Sequence, residues 1–346
     1  MKSVWGVINH HDRSAFEIHL FSDGNPPSAD SGYQDNPLDH VHDARGLSNT
    51  DLASLVTRTG IEILVDLNGY SYQRRLGLFM RRPAPANVSW FNMYAPSGVD
   101  AFDYIIGDAV VIPTSEEQFY CERVLRVPGS YLAYSMLYPV PDVAPPPCLA
   151  AGRINFASLC SQYKITDEVI AVWAMILRQA PYAPLLIKNA ELGDPTCRTA
   201  LQERFGRWEI KPNRVLLEGP APHEEYLAAY GKTDIALDTF PYNGGTTTME
   251  ALWQGVPVLT FKGDRWASRQ SCSLLLAAGL GDWCMPDCTS YIARAVAMAL
   301  SPTTTTELAS LRSAMRERLA RMPVCDSAGL CRALERIYRE VAKREI

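Results

Sequence analysis

Asp234-Ile235-Ala236-Leu237-Asp238-Thr239-Phe240-Pro241-Tyr242-Asn243-Gly244-Gly245-Thr246-Thr247-Thr248-Met249-Glu250-Ala251-Leu252-Trp253 is the stretch from which the rest of the chain can be ordered. It reads as a buried strand, a tight Pro/Asn/Gly/Gly turn and a helix that opens on three threonines. The first turn of a helix carries unpaired N–H groups and the positive end of the macrodipole, so it attracts anions. Gly244 and Gly245 would let a ligand approach the backbone, and the hydroxyls of Thr246 and Thr247 would add donors. Glu250 follows Thr246 by four residues and Thr247 by three, so it shares their face, roughly 5–6 Å further along the helix. A phosphate on the helix N-terminus with a carboxylate one turn down suits a nucleotide diphosphate whose ribose hydroxyls donate to the carboxylate. The same segment also fits a plain strand–turn–helix with threonine capping.

Outward from this stretch the second half alternates. Short apolar runs at Ile154–Ser158, Pro184–Lys188, Arg214–Leu217, Asp234–Asp238 and Pro257–Phe261 read as buried parallel strands. Amphipathic helices are expected between them, near Asp167–Gln179, Thr196–Phe205, His223–Tyr230 and Thr247–Gln254. That rhythm predicts a doubly wound parallel sheet, in which ligands bind at the carboxyl ends of strands, at the switch point. Upstream, Tyr138–Cys148 holds five prolines in eleven residues and reads as a semi-extended linker.

The first half is α/β but less regular. Strands are expected at Phe16–Phe21, Ile61–Leu67, Asn87–Phe91, Tyr104–Ile106 and Arg123–Val127. A helix is expected near Asn49–Arg58, with Ser48, Asn49 or Thr50 as its cap. The end of the chain is largely helical, including Thr304–Arg321 and Ser327–Arg344. The expected plan is GT-B-like: two Rossmann-like doubly wound domains with C-terminal helices. Residues 1–137 form an acceptor-side domain, 138–148 the linker, and 149–346 the nucleotide-binding domain, with room for the last helix to pack back on the first domain.

Composition narrows the class. The chain has 346 residues, 47% hydrophobic and 21% charged, enough for two globular domains. A net charge of −5 argues against a dominant nucleic-acid surface. No apolar run approaches membrane-spanning length, and the N-terminus lacks a signal-peptide core. The nine cysteines are scattered, and the closest pair, Cys284 and Cys288, has no second pair at zinc-site spacing. No metal is therefore expected, the thiols are read as mostly buried and reduced, and the cytoplasm is the expected location.

Several segments then coincide with one family. They are Ile63–Tyr70 (ILVDLNGY), Arg82–Trp90 (RPAPANVSW), Asp103–Asp108 (DYIIGD), Gln162–Ile165 (QYKI), Leu237–Trp253 and Ala267–Arg269. With these, in this order, the chain resembles the catalytic region of the O-linked N-acetylglucosamine transferase and SPINDLY-like glycosyltransferases. The resemblance implies an inverting, metal-independent enzyme that needs no cofactor beyond its UDP-sugar donor, UDP-N-acetylglucosamine in most members, and that modifies a protein hydroxyl or a glycan. It implies that Lys164 neutralises the diphosphate leaving group. The loop Gly219–Tyr226, with Pro220 and Ala221, would read uracil through its backbone. Tyr226 stands where a donor-side histidine is found in animal enzymes. Gly244, Gly245, Thr246 and Thr247 match the phosphate turn, and Glu250 matches the ribose-binding acid.

Asp66 and Asn68 end a strand, where acceptor contacts or an Asx-turn would each account for them. His223 reads as a surface histidine. The chain also departs from the family pattern. It opens at what reads as the end of the family's first helix, so that the preceding strand and loop histidine are not represented and His10 and His11 do not replace that histidine. Alternatively, Ser3–Ile8 is itself the strand. After Trp90, bulky residues from Phe91 to Ser97 stand where the family has a glycine-rich run. These departures support a second reading, a nucleotide-sugar-binding or scaffold protein of the same family with impaired catalysis.

Overall fold

The computed structural model describes residues 3–343. They fall into two compact units: the residues up to Tyr138 together with those from Pro323 onward, and Pro139–Met322. The final helix therefore counts with the first unit, so the expected second domain, 149–346, becomes Pro139–Met322 and takes in the proline-rich segment.

In the first unit the elements are α1 (Ser3–Ile8), β1 (His19–Ser22), β2 (His40–Asp43), α2 (Asn49–Thr59), β3 (Ile63–Asp66), α3 (Leu76–Phe79), β4 (Ala86–Ser89), β5 (Tyr104–Gly107) and β6 (Arg123–Arg126). Ser3–Ile8 is helical, so the strand alternative for that segment is overturned. Its apolar face goes down, with Val7 fully buried, and it packs against the final helix, Ser327–Lys343. Gly6 permits that approach, because a Cβ there would meet the Ser135 hydroxyl and lie 2.8 Å from Ser327 Oγ. Ser48 caps α2, its side chain accepting from Asp51 N at 3.1 Å, and Gly60 ends the helix at φ 76°.

The strands of this unit form two parallel sheets, β1–β2 and β3-β4-β5-β6, where a single doubly wound sheet was expected. Asp66 accepts from the N–H of Asn68 at 2.9 Å and of Gly69 at 3.1 Å, the Asx-turn that the sequence allowed.

The second unit runs α4 (Cys148–Ala151), β7 (Phe156–Ser158), α5 (Asp167–Gln179), β8 (Leu185–Lys188), α6 (Pro195–Gly206), β9 (Val215–Glu218), α7 (His223–Ala228), β10 (Ile235–Leu237), α8 (Thr246–Trp253), β11 (Val258–Phe261), α9 (Gln270–Ala277), β12 (Cys284–Met285), α10 (Cys288–Leu300) and α11 (Thr304–Leu319); α12 is the final helix already placed. Its sheet has the order β12-β11-β10-β7-β8-β9, every pair parallel. The chain thus builds outward from β7 through β8 to β9, then returns to lay β10 on the other side of β7. The switch point lies between β7 and β10.

Local sequence accounts for the main boundaries here. Thr166 caps α5 by accepting from Val169 N, and Val169, Ile170, Trp173, Ile176 and Leu177 are buried on a helix that packs against α10 and α6. Asp194 caps α6 with Pro195 in its first turn. The proline-rich segment is held by Arg316, which donates to Pro141 O at 2.6 Å. Buried Arg312 ties α11 to the loop before β10 through Thr233 O and Tyr230 O, at 2.6 and 2.9 Å. Cys272 and Cys284 form a disulfide that joins α9 to β12, a pairing that the reading of the cysteines as mostly buried, reduced thiols did not anticipate. No helix among the described residues is long and apolar enough to cross a membrane.

Candidate functional site at the switch point

Two strand ends flank the switch point, and each carries a segment singled out in the sequence. Lys164 follows β7, and the turn Asp238–Gly245 follows β10. The Lys164 ammonium donates to Asn243 O at 2.7 Å and lies 3.8 Å from the centre of the Tyr242 ring. Burial pushes the Lys164 pKa below the usual lysine value of 10.5, and buried Asp238 opposes that shift. The ammonium is thus held over the turn that opens α8.

The turn is fixed from beneath by Asp238. Its carboxylate accepts from Gly244 N at 2.8 Å, from Thr239 N at 2.9 Å and from Thr260 Oγ1 at 2.7 Å. Burial raises the Asp238 pKa, and Gly244 N, Thr260, Ser271 and Lys164 pull it back. From α9, Gln270 Nε2 and Ser271 Oγ donate to Gly244 O at 3.0 and 3.1 Å. Gly244 and Gly245 are required by this packing. A Cβ on Gly244 would lie 2.6 Å from the hydroxyls of Thr247 and Thr248, and one on Gly245 would collide with the Gln270 amide. The sequence reading gave these glycines to ligand approach; the side chains of Thr247, Thr248 and Gln270 crowd the same two positions.

Gly245 is the N-cap of α8 and offers no side chain to its first turn. Thr246 and Thr247 are half-buried, while Thr248 is buried and its hydroxyl lies 2.8 Å from Ser271 Oγ. Glu250 is buried one turn on, with its carboxylate 3.6 Å from His223 Nε2. His223, read as a surface histidine, is half exposed but faces this acid. Its ring lies parallel to Tyr226 at 6.4 Å. Tyr226 is largely enclosed. Its hydroxyl donates to Leu159 O just beyond β7, and burial pushes the phenol far above its usual pKa.

Lys164, Tyr226, Gly244, Gly245, Thr246, Thr247 and Glu250 therefore gather at one end of the sheet, connected through Asn243, Leu159 and His223. Pro220 and Ala221 lie on the loop after β9. Pro220 packs on Gly193, where a Cβ would come within 3.0 Å of its ring. From β10 to β9 there are three inter-strand gaps, roughly 14 Å at about 4.8 Å each, so only an elongated ligand would touch both ends. Asp238, Gln270 and Ser271 were missed by sequence reasoning. The available signals were an aspartate closing a buried strand and a Gln-Ser pair opening an apolar helix.

Two parallel-sheet units, the second with its polar residues gathered at a switch point, make this a GT-B-like α/β protein. The chain belongs to glycosyl transferase family 41, which it matches over residues 1–138 and 148–334. It is similar to the probable UDP-N-acetylglucosamine–peptide N-acetylglucosaminyltransferase SPINDLY of Solanum lycopersicum, 32% identical over 346 residues, 97% of this chain and 36% of that protein. The Arabidopsis thaliana protein of the same name is also 32% identical, over 97% of this chain and 37% of its own length. The chain thus spans a little over a third of these relatives. A Thermobaculum terrenum O-GlcNAc transferase mutant has the same fold at TM-score 0.89 and 33% identity, covering 99% of this chain and 64% of that one. A sucrose-phosphate synthase from Thermosynechococcus elongatus shares the fold alone, with TM-score 0.58 and 11% identity, over 95% of this chain and 90% of that one.

Proposed function

We propose that the second unit binds a UDP-sugar, UDP-N-acetylglucosamine by kinship with the named relatives, and that the chain transfers the sugar to a protein hydroxyl with inversion and without a divalent ion. The observation that carries this reading is Lys164, whose ammonium is fixed 2.7 Å from Asn243 O at the mouth of the α8 turn. In the transfer, the acceptor oxygen bonds to the anomeric carbon and the bond from that carbon to the β-phosphate oxygen breaks. The electron pair stays on UDP, and the acceptor proton is released. Lys164 and the α8 N-terminus would stabilise the charge that collects on the diphosphate. Glu250 would accept from the ribose hydroxyls, with His223 beside it, and the loop Gly219–Tyr226 would hold uracil.

The test is thermal unfolding with UDP, paired with a transfer assay on Ser/Thr peptides, both repeated with chelator. UDP at 100 times its Kd should add about 2.7 kcal/mol of stability, and chelator should change neither result. No shift at millimolar UDP would remove the donor site, and a strict divalent-ion requirement would remove the proposed charge role of Lys164. A second reading, donor binding without transfer, is favoured by the loop after β4, where Asn92 and Tyr94 hold left-handed backbone at φ 60° and 58° and Tyr94 donates to Asn92 Oδ1 at 2.5 Å. A UDP shift with no sugar transferred would select it.

A further inference from the structure

Three of the six histidines of the chain lie on one face of the small β1–β2 sheet in the first unit. The parallel register pairs His19 with His40 and Phe21 with His42, so the rings of His19, His40 and His42 stand side by side. The His19 and His40 rings stack at 4.6 Å, and those of His19 and His42 at 5.3 Å. Glu17 reaches over them, with Oε1 3.0 Å from His19 Nε2 and 3.3 Å from His40 Nε2. The ligand atoms of Glu17, His19 and His40 all lie within 4.8 Å of one another.

We propose that Glu17, His19 and His40 bind one divalent transition-metal ion, Zn²⁺ first among them, with His42 as the positioning residue for His19. Around a tetrahedral ion with bonds of about 2.0–2.1 Å, ligand atoms sit roughly 3.4 Å apart, and the two Glu17–histidine distances, 3.0 and 3.3 Å, are close to that spacing. Two imidazoles and a carboxylate select zinc-like ions over calcium or magnesium. His42 Nε2 lies 3.0 Å from His19 Nδ1. When His19 Nδ1–H donates to it, the lone pair of His19 Nε2 is left pointing at Glu17, the tautomer a ligand requires. His42 is in turn fixed by its stack on Phe21, at 4.6 Å and 13°. His19 is largely covered, at 11% side-chain exposure, whereas His40 and Glu17 are open at 51% and 70%. One side is thus available for ion entry and for a water in the fourth position.

The competing arrangement is a Glu–His ion pair with stacked neutral rings and no ion. A competing site is the cluster His11, Cys331 and Glu335. There Glu335 already accepts from Asp12 N at 2.8 Å, and burial pushes the Cys331 thiol up to about 12, which makes the cluster a docking contact for α12.

The experiment titrates the chelator-treated 346-residue chain with Zn²⁺ by calorimetry and with Co²⁺ by visible absorption. One ion per chain is expected, with Co²⁺ bands of low-coordinate nitrogen and oxygen ligation and no thiolate charge-transfer band. His19→Ala and His40→Ala should each weaken binding at least 100-fold, and His42→Ala roughly 10–100-fold with the stoichiometry kept. His40 is half exposed, so His40→Gln serves as the variant that keeps the fold, checked by an unchanged melting profile without metal. No stoichiometric binding, binding unaltered in His19→Ala and His40→Gln, or a thiolate band would each overturn the proposal. The readout does not involve UDP, so it stands apart from the donor-site reading.

Discussion

Lys164 is a charged group in a place that disfavours charge, and that sets how it responds to pH. Its folded pKa lies below the 10.5 of an exposed lysine. The folded, UDP-free protein releases the proton earlier than the unfolded chain, so stability should rise with pH across the window between the two values. Bound diphosphate favours the ammonium, so UDP affinity should fall as pH climbs through the same window, starting below 10.5. The comparison to make is the ratio of UDP affinities of the wild type and Lys164→Arg, which cancels ionisation of UDP itself. A ratio independent of pH would mean that Lys164 does not face the phosphates. Substitution separates the two ends of the ligand as well. Lys164→Ala should lower kcat roughly 10²–10³-fold, the cost of losing one donor to developing charge. Glu250→Ala should weaken UDP binding roughly tenfold or more, since a hydrogen bond to a charged group contributes about 1.5–3 kcal/mol in ground and transition states alike. The reverse pattern in steady-state kinetics would exchange the roles.

At the scale of the element, the turn before α8 is built by α9. Gly245→Ala should destabilise by about 1–3 kcal/mol because the new methyl meets the Gln270 amide. In a Gln270→Ala background the same substitution should cost clearly less, and chemical denaturation of the four proteins measures that coupling. Full additivity would mean that the glycine is needed for its backbone alone. The same elements decide what could be read from sequence. Asp167–Gln179 was legible to the residue because a capping threonine precedes a strong 3.6 period. β2 was not, because His-Val-His-Asp lies largely exposed and lacks the alternation that marks a half-buried strand. β12 has two residues and no pattern at all. Lys164, Thr246, Thr247 and Glu250 could be singled out because they sit in linear motifs. Gln270 acts on a backbone atom of a turn distant in the chain, and Asp238 braces its own turn from a buried strand end, which leaves no linear motif to read.

For the whole molecule, the alternating pattern of the second half led directly to five of the six strands of the parallel sheet, all but β12. The division of the chain did not follow from that pattern: the proline run placed a linker at 138–148 and left room for the last helix to pack back on the first domain, and α12 counts with the first unit. Leu330, Leu334 and Val341 of that helix are buried, and α1 rests against it with Val7 fully enclosed. The second unit is contiguous in the chain, and the first is split around it.

A ribosome would therefore release the two parts of the first unit on either side of the whole second unit. Domains generally fold in the order in which they emerge. Here the residues up to Tyr138 must wait, their apolar faces open, until α12 is made, while Pro139–Met322 is free to fold in between. A chain stopped after Met322 should accordingly lose protection in its first 138 residues to limited proteolysis, yet keep a resistant fragment starting near Pro139 that UDP protects further. Loss of both halves together would mean that they fold as one cooperative block. If the fragment survives, the residues up to Tyr138 are, of these two units, the stretch of nascent chain that needs a chaperone while Pro139–Met322 does not.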